Sequence, residues 1–194
     1  MCIPTSNQID CRDIISFKPL KQEVPVDKNQ LRELITAVLR YLEPEIPFSE
    51  DAVELLMMTA AVESELGEAV KQKGGGPAKG IFQVEPTTER DVMNRFLNPK
   101  KKKRQSLREK VLRLAGNPPP GIDPAIYDLD YQIALTRCFY RMKPKALPTV
   151  FIIDGRPDYD SIVRMAKYYK KHFNTVLGKS TVKKAIDKYC KYAV

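Results

Sequence analysis

Two acidic residues stand where an apolar stretch of the sequence ends. Glu63 and Glu65 lie in "AAVESELG" at residues 60–67, and on a helix Glu63 would share its face with Leu56 and Thr59. A carboxyl beside such side chains is partly removed from water, which penalises its ionised form and raises its pKa. A raised pKa suits a general acid, which must still hold its proton near neutral pH. Glu65 is less clearly directed at the core, so both carboxyls are candidates for acid catalysis.

A glycine-containing segment follows the two acids. It reads "GPAKGIFQVEPTT" at residues 76–88 and carries Gly76, Gly80 and Gln83. Glycine lets a backbone approach a bulky ligand closely, and the side-chain amide of glutamine can bind hydroxyl or acetamido groups. The segment is therefore suited to a site that acts on a sugar chain. Taken alone, a glutamate at a helix end is more often part of a structural ion pair.

The elements that must position these residues are mainly helices. Asp27 and Ser49 are suitable N-caps for two helices; the first is amphipathic, and the second is apolar on nearly all sides and ends near Glu63. Further helical periods occur at residues 86–97, 105–116, 125–142, 157–173 and 180–192. The sequence predicts a mainly α domain over residues 27–194, with at most a small β element near residues 67–84.

The composition fits one domain preceded by a short arm. Hydrophobic residues make up 43% of the chain, which is enough for one substantial core. Residues 1–26 contain prolines and no helical period, so we expect them to form an extended N-terminal arm. The 33 Lys and Arg residues exceed the 24 Asp and Glu residues, and a net charge of +9 favours an anionic partner such as nucleic acid, a membrane surface or a cell-wall polymer. No apolar run approaches the ~20 residues of a membrane span.

Three short motifs together resemble a known family. The Glu-Ser pair at residues 63–64 and the Gly-Ile-Phe-Gln and Pro-Thr-Thr elements at 80–83 and 86–88 resemble the first two motifs of the goose-type lysozyme and soluble lytic transglycosylase family. Phe-Asn-Thr at 173–175, with Gly178 beyond, is loosely similar to the third motif. No single element is specific, but the three occur in the family's order across most of the chain.

The resemblance implies a lysozyme-like domain that cleaves the β-1,4 bond between N-acetylmuramic acid and N-acetylglucosamine in peptidoglycan. It implies that Glu63 is both general acid and general base, without a metal or cofactor. The residues implied in binding the substrate or supporting the site are Ser64, Gly80, Gln83, Phe173 and Asn174. Hydrolysis and lytic transglycosylation both fit, because they differ in whether water or the sugar's own 6-hydroxyl captures the intermediate.

The sequence departs from the family pattern in two places. Phe173 stands where the family commonly has a tyrosine whose hydroxyl reaches the catalytic carboxyl, so Tyr168 or Tyr169 would have to supply that group. The interval between the first two motifs is slightly longer than usual, which keeps Glu65 as a second candidate acid. The missing tyrosine supports an alternative function, a catalytically inactive lysozyme-like protein with a structural or adaptor role in a phage particle.

The whole pattern looks most like that of phage-encoded proteins. Nothing at the N-terminus has the layout of a secretory signal, so we expect synthesis in the host cytoplasm without a signal peptide. Phage lysis enzymes and virion-associated enzymes reach the wall by holins or with the virion. We therefore expect action at the bacterial cell wall or within a virion, with peptidoglycan strands as partner and residues 1–26 in contact with other virion proteins.

Other chemistries have weaker support in the sequence. The cysteines lack CxxC spacing and His172 is the only histidine, so a zinc site lacks its usual ligands and a nucleophile such as Cys138 would meet that histidine only by chance of folding. The basic run from Lys100 to Arg104 is expected to be a solvated helix start. Nucleic acid is not the expected partner, because no aromatic residue lies between Lys100 and Gly116.

Overall fold

The protein is built mainly from helices. The computed structural model describes residues 26–72, 74–174 and 180–194. These residues form eight α-helices: α1 (Lys28–Tyr41), α2 (Glu50–Ser64), α3 (Pro86–Asp91), α4 (Gln105–Ala115), α5 (Pro124–Tyr127), α6 (Leu129–Arg141), α7 (Tyr159–Tyr169) and α8 (Val182–Tyr192). The predicted mainly α class is confirmed.

The first two helices begin at the residues expected from their capping side chains. The carboxylate of Asp27 accepts hydrogen bonds of 3.0 Å from the amides of Asn29 and Gln30. The hydroxyl of Ser49 accepts a 3.2 Å bond from the amide of Ala52. Each bond satisfies an amide that has no partner within its own helix, which fixes where the helix starts.

Helix α2 lies at the centre of the fold. Twelve of its fifteen residues are buried, and it packs against α1, α6, α7 and α8. The apolar character around its whole circumference follows from this position, since a helix with neighbours on all sides has no solvent face to keep polar. Its central position carries Glu63, in its last turn, to the place where α7 and α8 meet it.

Two helices continue into wider, π-helical turns. Helix α3 passes into residues Val92–Phe96, and α7 passes into residues Lys170–Asn174. A shorter 3-10 turn at Lys102–Arg104 leads into α4. The turn after α7 is important for the site, because it carries Phe173 and Asn174 and changes the direction of their side chains relative to a regular helix.

The described residues contain one small sheet, and its position differs from the prediction. Strands β1 (Ile152–Ile153) and β2 (Arg156–Pro157) pair antiparallel through a turn in which Asp154 and Gly155 both have positive φ. The sequence predicted a β element near residues 67–84 instead. Among the described residues of that region, only isolated bridges form, from Lys79 to Lys71 and from Lys79 to Val84.

The predicted arm at residues 1–26 lies almost entirely outside the described residues. Its last residue, Val26, donates a 3.2 Å backbone hydrogen bond to Leu66 and packs against the core. None of the helices in the described part of the chain has both the length and the apolar character needed to cross a bilayer.

Candidate active site

Helix α2 ends beside a cleft of about 760 Å³. The backbone of Glu65 and Leu66 is left-handed, with φ of 57° and 61°, and the amide of Leu66 donates to the carbonyl of Ala60 at 3.2 Å. These two residues turn the chain away from the helix axis, so the last helical turn borders open space. The sequence-predicted residues that line the cleft are Glu63, Ser64, Gln83, Phe173 and Asn174.

The carboxyl of Glu63 is held by groups from the end of α7. The Tyr169 hydroxyl, on a fully buried ring, donates to Oε1 of Glu63, and the side chain of Asn174 also hydrogen-bonds to this carboxyl. Lys170 Nζ donates to Oδ1 of Asn174 at 2.9 Å, which directs the amide nitrogen of Asn174 to the carboxyl. Three residues within one stretch of chain thus fix the orientation of a single acid.

Burial raises the pKa of Glu63 above its ordinary value. The hydrogen bonds from Tyr169 and Asn174 and the charges of Lys188 and Lys184 favour the ionised form, but they only partly offset the desolvation. Within the described residues, no Lys or Arg lies within salt-bridge distance of this carboxyl. Glu63 can therefore keep a proton at a pH where an exposed glutamate has lost it.

Glu65 has the opposite electrostatic character, although it lines the same cleft. A hydrogen bond shared with the carboxyl of Glu68, and hydrogen bonds from Tyr192 and Lys188, hold the pKa of Glu65 well below its usual range. The Tyr192 hydroxyl donates at 2.9 Å, and Lys188 Nζ lies 3.1 Å from the carboxylate. An acid held in its ionised form cannot donate a proton, so the geometry favours Glu63 over Glu65 as the general acid.

Tyr169 is the tyrosine whose hydroxyl reaches the carboxyl of Glu63. The sequence had left this role open between Tyr168 and Tyr169. The hydroxyl of Tyr168 instead donates to the carbonyl of Lys145 at 3.0 Å. Phe173 stacks on the ring of Tyr169, with centroids 5.8 Å apart and planes 20° apart, and meets Phe139 edge to face at 5.2 Å. The phenylalanine therefore supports the tyrosine that touches the acid, and no hydroxyl is needed at position 173.

Ser64 joins the end of α2 to the floor of the cleft. Its hydroxyl donates to the carbonyl of Ile81 at 2.6 Å and accepts from the amide of Gly67 at 2.8 Å. The side chain is buried and its hydrogen bonds are all made within the protein. Ser64 is therefore better placed to hold the shape of the site than to contact a ligand.

Gly80 has a packing role that the sequence near it does not indicate. Its φ is +70°, and a Cβ there would lie 2.2 Å from Oε1 of Gln132 and 2.5 Å from the carbonyl of Ala125. The glycine is buried and does not line the cleft, so this structure gives it no approach to a substrate. The absence of a side chain at Gly80 lets Oε1 of Gln132 accept a 2.7 Å hydrogen bond from the amide of Ile81, and this bond anchors the loop that contains both Gly80 and Ile81.

Gln83 is fixed at the cleft wall by its own loop. Its φ is +47°, and Nε2 donates to the carbonyls of Gly80 at 2.7 Å and Ala69 at 3.1 Å. Both bonds use the nitrogen, so the amide oxygen is the atom that these contacts leave for a donor such as a sugar N–H or O–H. The predicted third-motif residues Thr175 and Gly178 lie outside the described residues.

Comparisons of the chain with protein-family models, with curated proteins and with solved structures found no match in any of the three. The resemblance to goose-type lysozymes and lytic transglycosylases therefore rests on the three motifs alone.

Two cationic side chains at the cleft were missed by the sequence analysis. Lys184 and Lys188 are one turn apart on α8, both line the cleft, and Lys188 also donates to the carbonyl of Val62 at 2.9 Å. Their spacing indicates only that they share a helix face. Which face meets Glu63 depends on how α8 packs on α2, and no local pattern shows that.

The alternative chemistries gain no support from the described residues. Cys138 is fully buried, and burial raises the pKa of its thiol to about 12, so it stays protonated and inaccessible. His172 packs its ring against Tyr168, 4.4 Å between centroids. Within the described part of the chain, no group of His, Cys, Asp and Glu side chains could hold a metal ion.

Proposed function

We propose that this protein is a lysozyme-like enzyme that cleaves the β-1,4 bond between N-acetylmuramic acid and N-acetylglucosamine in peptidoglycan, with Glu63 as its acid and base. The observation that carries the proposal is the state of Glu63: a desolvated carboxyl, hydrogen-bonded by Tyr169 and Asn174, at the wall of a cleft large enough for sugar units. The order of the three motifs supports the same function.

In this mechanism Glu63 acts twice. It first donates its proton to the glycosidic oxygen as the bond from that oxygen to C1 breaks, which leaves positive charge on the sugar ring. The resulting carboxylate then takes a proton from the group that attacks C1, either a water molecule or the 6-hydroxyl of the same sugar. Tyr169 and Asn174 stabilise the carboxylate between the two steps, because a hydrogen bond to the charged form lowers its free energy.

The polar groups around the acid are suited to orient an aminosugar. Gln83 offers an amide oxygen and Asn174 an amide group, and both side chains are held by internal hydrogen bonds before any ligand binds. Pre-ordered groups lose less conformational entropy on binding. We propose that these two side chains bind the hydroxyl and acetamido groups on either side of the cleaved bond.

The biological setting is part of the proposal. The motif pattern supports a phage-encoded enzyme that acts at the bacterial wall, either as a lysis enzyme or as a virion component. Residues 1–26 are proposed to contact other virion proteins. The net charge of +9 is compatible with the anionic polymers of a bacterial envelope.

The alternative function, an inactive lysozyme-like part of a virion, depended on the phenylalanine at position 173. Because Tyr169 brings a hydroxyl to Glu63 from elsewhere, that sequence argument loses its force. The alternative predicts binding to the wall without turnover.

Zymography on purified peptidoglycan tests the proposal. We expect clearing by the wild-type protein, no clearing by Glu63→Gln, and clearing by the matched control Glu65→Gln. Mass spectrometry of the released fragments distinguishes the two reactions, since transglycosylation leaves 1,6-anhydro ends and hydrolysis leaves reducing ends. Clearing that persists in Glu63→Gln would exclude the mechanism, and wall binding without any released fragments would establish the inactive alternative.

A further inference from the structure

A second pocket in the described part of the chain has three cations among its six lining residues. It has a volume of about 330 Å³, and its lining residues are Glu45, Phe96, Lys103, Arg104, Leu107 and Arg141. It shares no lining residue with the cleft at Glu63. The proposed glycosidase mechanism therefore leaves this pocket without a role.

The one carboxylate in the lining, Glu45, is already paired with a cation outside the lining. Glu45 lies 2.7 Å from Nζ of Lys110 and also accepts a hydrogen bond from Ser106. These two contacts lower the pKa of Glu45 to about 2, so it is ionised and paired. Its charge is balanced by Lys110, which leaves the three other charged lining residues without compensation from this group.

Within residues 26–72, 74–174 and 180–194, no salt bridge reaches Lys103, Arg104 or Arg141. Three cations at one concave surface repel each other, and each would be more stable beside an anion. Lys103 and Arg141 are exposed, so their side chains can reorient toward a ligand.

Arg104 is held in place before any ligand binds. Its guanidinium lies 3.9 Å above the centroid of the Phe96 ring, and Nη1 donates to the carbonyl of Phe96 at 2.9 Å. The planar donor group of arginine matches the oxygen atoms of phosphate, and stacking on the ring removes much of the conformational freedom that binding would otherwise cost.

A fourth cation, Arg137, interacts electrostatically with the lining residue Arg141. Arg137 precedes Arg141 by one turn of α6 and is only 6% exposed. Its Nη2 donates to the carbonyl of Pro47 at 3.3 Å, but Nε has no hydrogen-bond partner. Burial and the nearby charge of Arg141 both lower the pKa of Arg137. A buried guanidinium without a carboxylate raises the free energy of the folded state, and a nearby anion would lower it.

We propose that this pocket binds a phosphate group through Arg104, Arg141 and Lys103. A phosphate presents several acceptor oxygens and up to two negative charges, which fits three converging cations better than a single carboxylate does. Phe96 is buried beneath Arg104, so the pocket offers contacts to a phosphate but no free ring face on which a nucleic-acid base could stack. The ligand we propose is a free phosphate ion or a phosphodiester group of a wall polymer.

Calorimetric titration with inorganic phosphate at constant ionic strength tests the site. We expect saturable binding by the wild-type protein and affinity on the order of tenfold lower in Arg141→Gln, because one charge-assisted hydrogen bond is lost. Lys103→Gln should weaken binding in the same direction. Both side chains are exposed, so neither variant should disturb the fold. The matched control is Lys167→Gln on α7, an exposed lysine whose loss changes the net charge equally, and it should bind as wild type does.

A second titration with a short poly(glycerol phosphate) chain distinguishes the sources. Tighter binding per phosphate than for the free ion assigns the pocket to a phosphodiester polymer, and equal binding assigns it to the ion. The proposal is overturned if neither ligand saturates the protein, or if Lys167→Gln weakens binding as much as Arg141→Gln does. Neither result depends on whether the protein cleaves peptidoglycan.

Discussion

Helix α2 carries two glutamates that each accept a hydrogen bond from a tyrosine hydroxyl, yet their surroundings differ in kind. Glu54 is 5% exposed, accepts a hydrogen bond from the hydroxyl of Tyr189 and forms a salt bridge with Arg32. Glu63 accepts a hydrogen bond from the hydroxyl of Tyr169 and borders the cleft. The same pair of functional groups thus occurs twice, nine residues apart on one helix.

The difference shows what turns a buried carboxyl into a candidate acid. Arg32 supplies a full positive charge to Glu54 and also donates to the carbonyl of Ala193 at 3.0 Å, so that pair fastens the C-terminal segment to α1 and α2. Among the described residues, Glu63 has no cation within salt-bridge distance, and burial raises its pKa. Removal of one partner of a compensated pair leaves a charge unpaired and destabilises the fold, whereas an incompletely compensated carboxyl beside open space can exchange a proton.

The largest expected effect separates the two glutamates directly. Glu63→Gln should reduce the rate of wall lysis on the order of 10³-fold, as expected for loss of a general acid, with little change in the free energy of unfolding. Glu54→Gln should keep the lytic rate per folded molecule and lower the free energy of unfolding by about 1–3 kcal/mol, because Arg32 loses its charged partner. Turbidity clearance and urea unfolding measure the two quantities. Equal loss of lysis in both variants would show that Glu63 and Glu54 do not differ in their role in activity.

The next effect concerns the tyrosines. Tyr169→Phe should lower lytic activity by about tenfold, the value of one hydrogen bond to a charged group. It should also raise the pKa of Glu63 further, because a donor to the ionised form is lost. Activity requires Glu63 to be protonated. The pH at which activity declines on the alkaline side should therefore be higher in Tyr169→Phe than in the wild-type protein.

Tyr168→Phe is the control for this measurement, since its hydroxyl donates to the carbonyl of Lys145. The pH dependence of lysis should be unchanged in that variant. An alkaline shift of the same size in Tyr168→Phe would show that the effect is not specific to the Tyr169 contact.

A smaller effect is expected in stability against pH. The pKa of Glu63 is higher in the folded protein than its ordinary value, so the folded state binds more protons between the two values. The wild-type protein should therefore lose stability relative to Glu63→Gln as pH rises from the ordinary glutamate pKa through the folded pKa. The difference between the two proteins should be nearly constant below pH ~3, where Glu63 is protonated in both the folded and the unfolded state. Urea unfolding across this range provides the test. A constant difference would show that Glu63 is not desolvated in solution.

The smallest effect should come from Glu65→Gln. This carboxylate is partly exposed and paired with Lys188 and Tyr192, so its removal should cost at most about 1 kcal/mol of stability. The lytic rate should change less than about threefold, since an ionised group at this position donates no proton. A loss comparable to that of Glu63→Gln would assign the acid role to Glu65 instead.

Local signals explain which parts of the fold could be predicted. Asp27 and Ser49 cap helices where their side chains can reach free amides, and helical periodicity places most of the later helices within a few residues. The hairpin at residues 152–157 was missed because its strands have only two residues each, are largely exposed and are too short to show an alternation. Its Asp-Gly turn was the available signal, since that dipeptide favours two consecutive positive φ values.

The candidate site could be predicted only in part, for a physical reason. The position of Glu63 follows from the apolar helix before it, but the contact with Tyr169 joins residues 106 positions apart. It depends on the packing of α7 against α2 and on the wide turn that follows α7. Gly80 illustrates the same limit: its neighbour Gln132 comes from α6, and the sequence near the glycine contains no indication of it.

The burial of α2 on all sides also determines how its amides meet solvent. Backbone protons exchange with deuterium when a segment opens, and a central helix with few exposed residues opens only with the whole molecule. The amides of Leu55 to Val62 should therefore be among the slowest to exchange, later than those of the short helix α3, which has no buried residue. The proposed proton donor is then attached to one of the most rigid parts of the chain, and any movement during turnover would have to come from the loop and from α8.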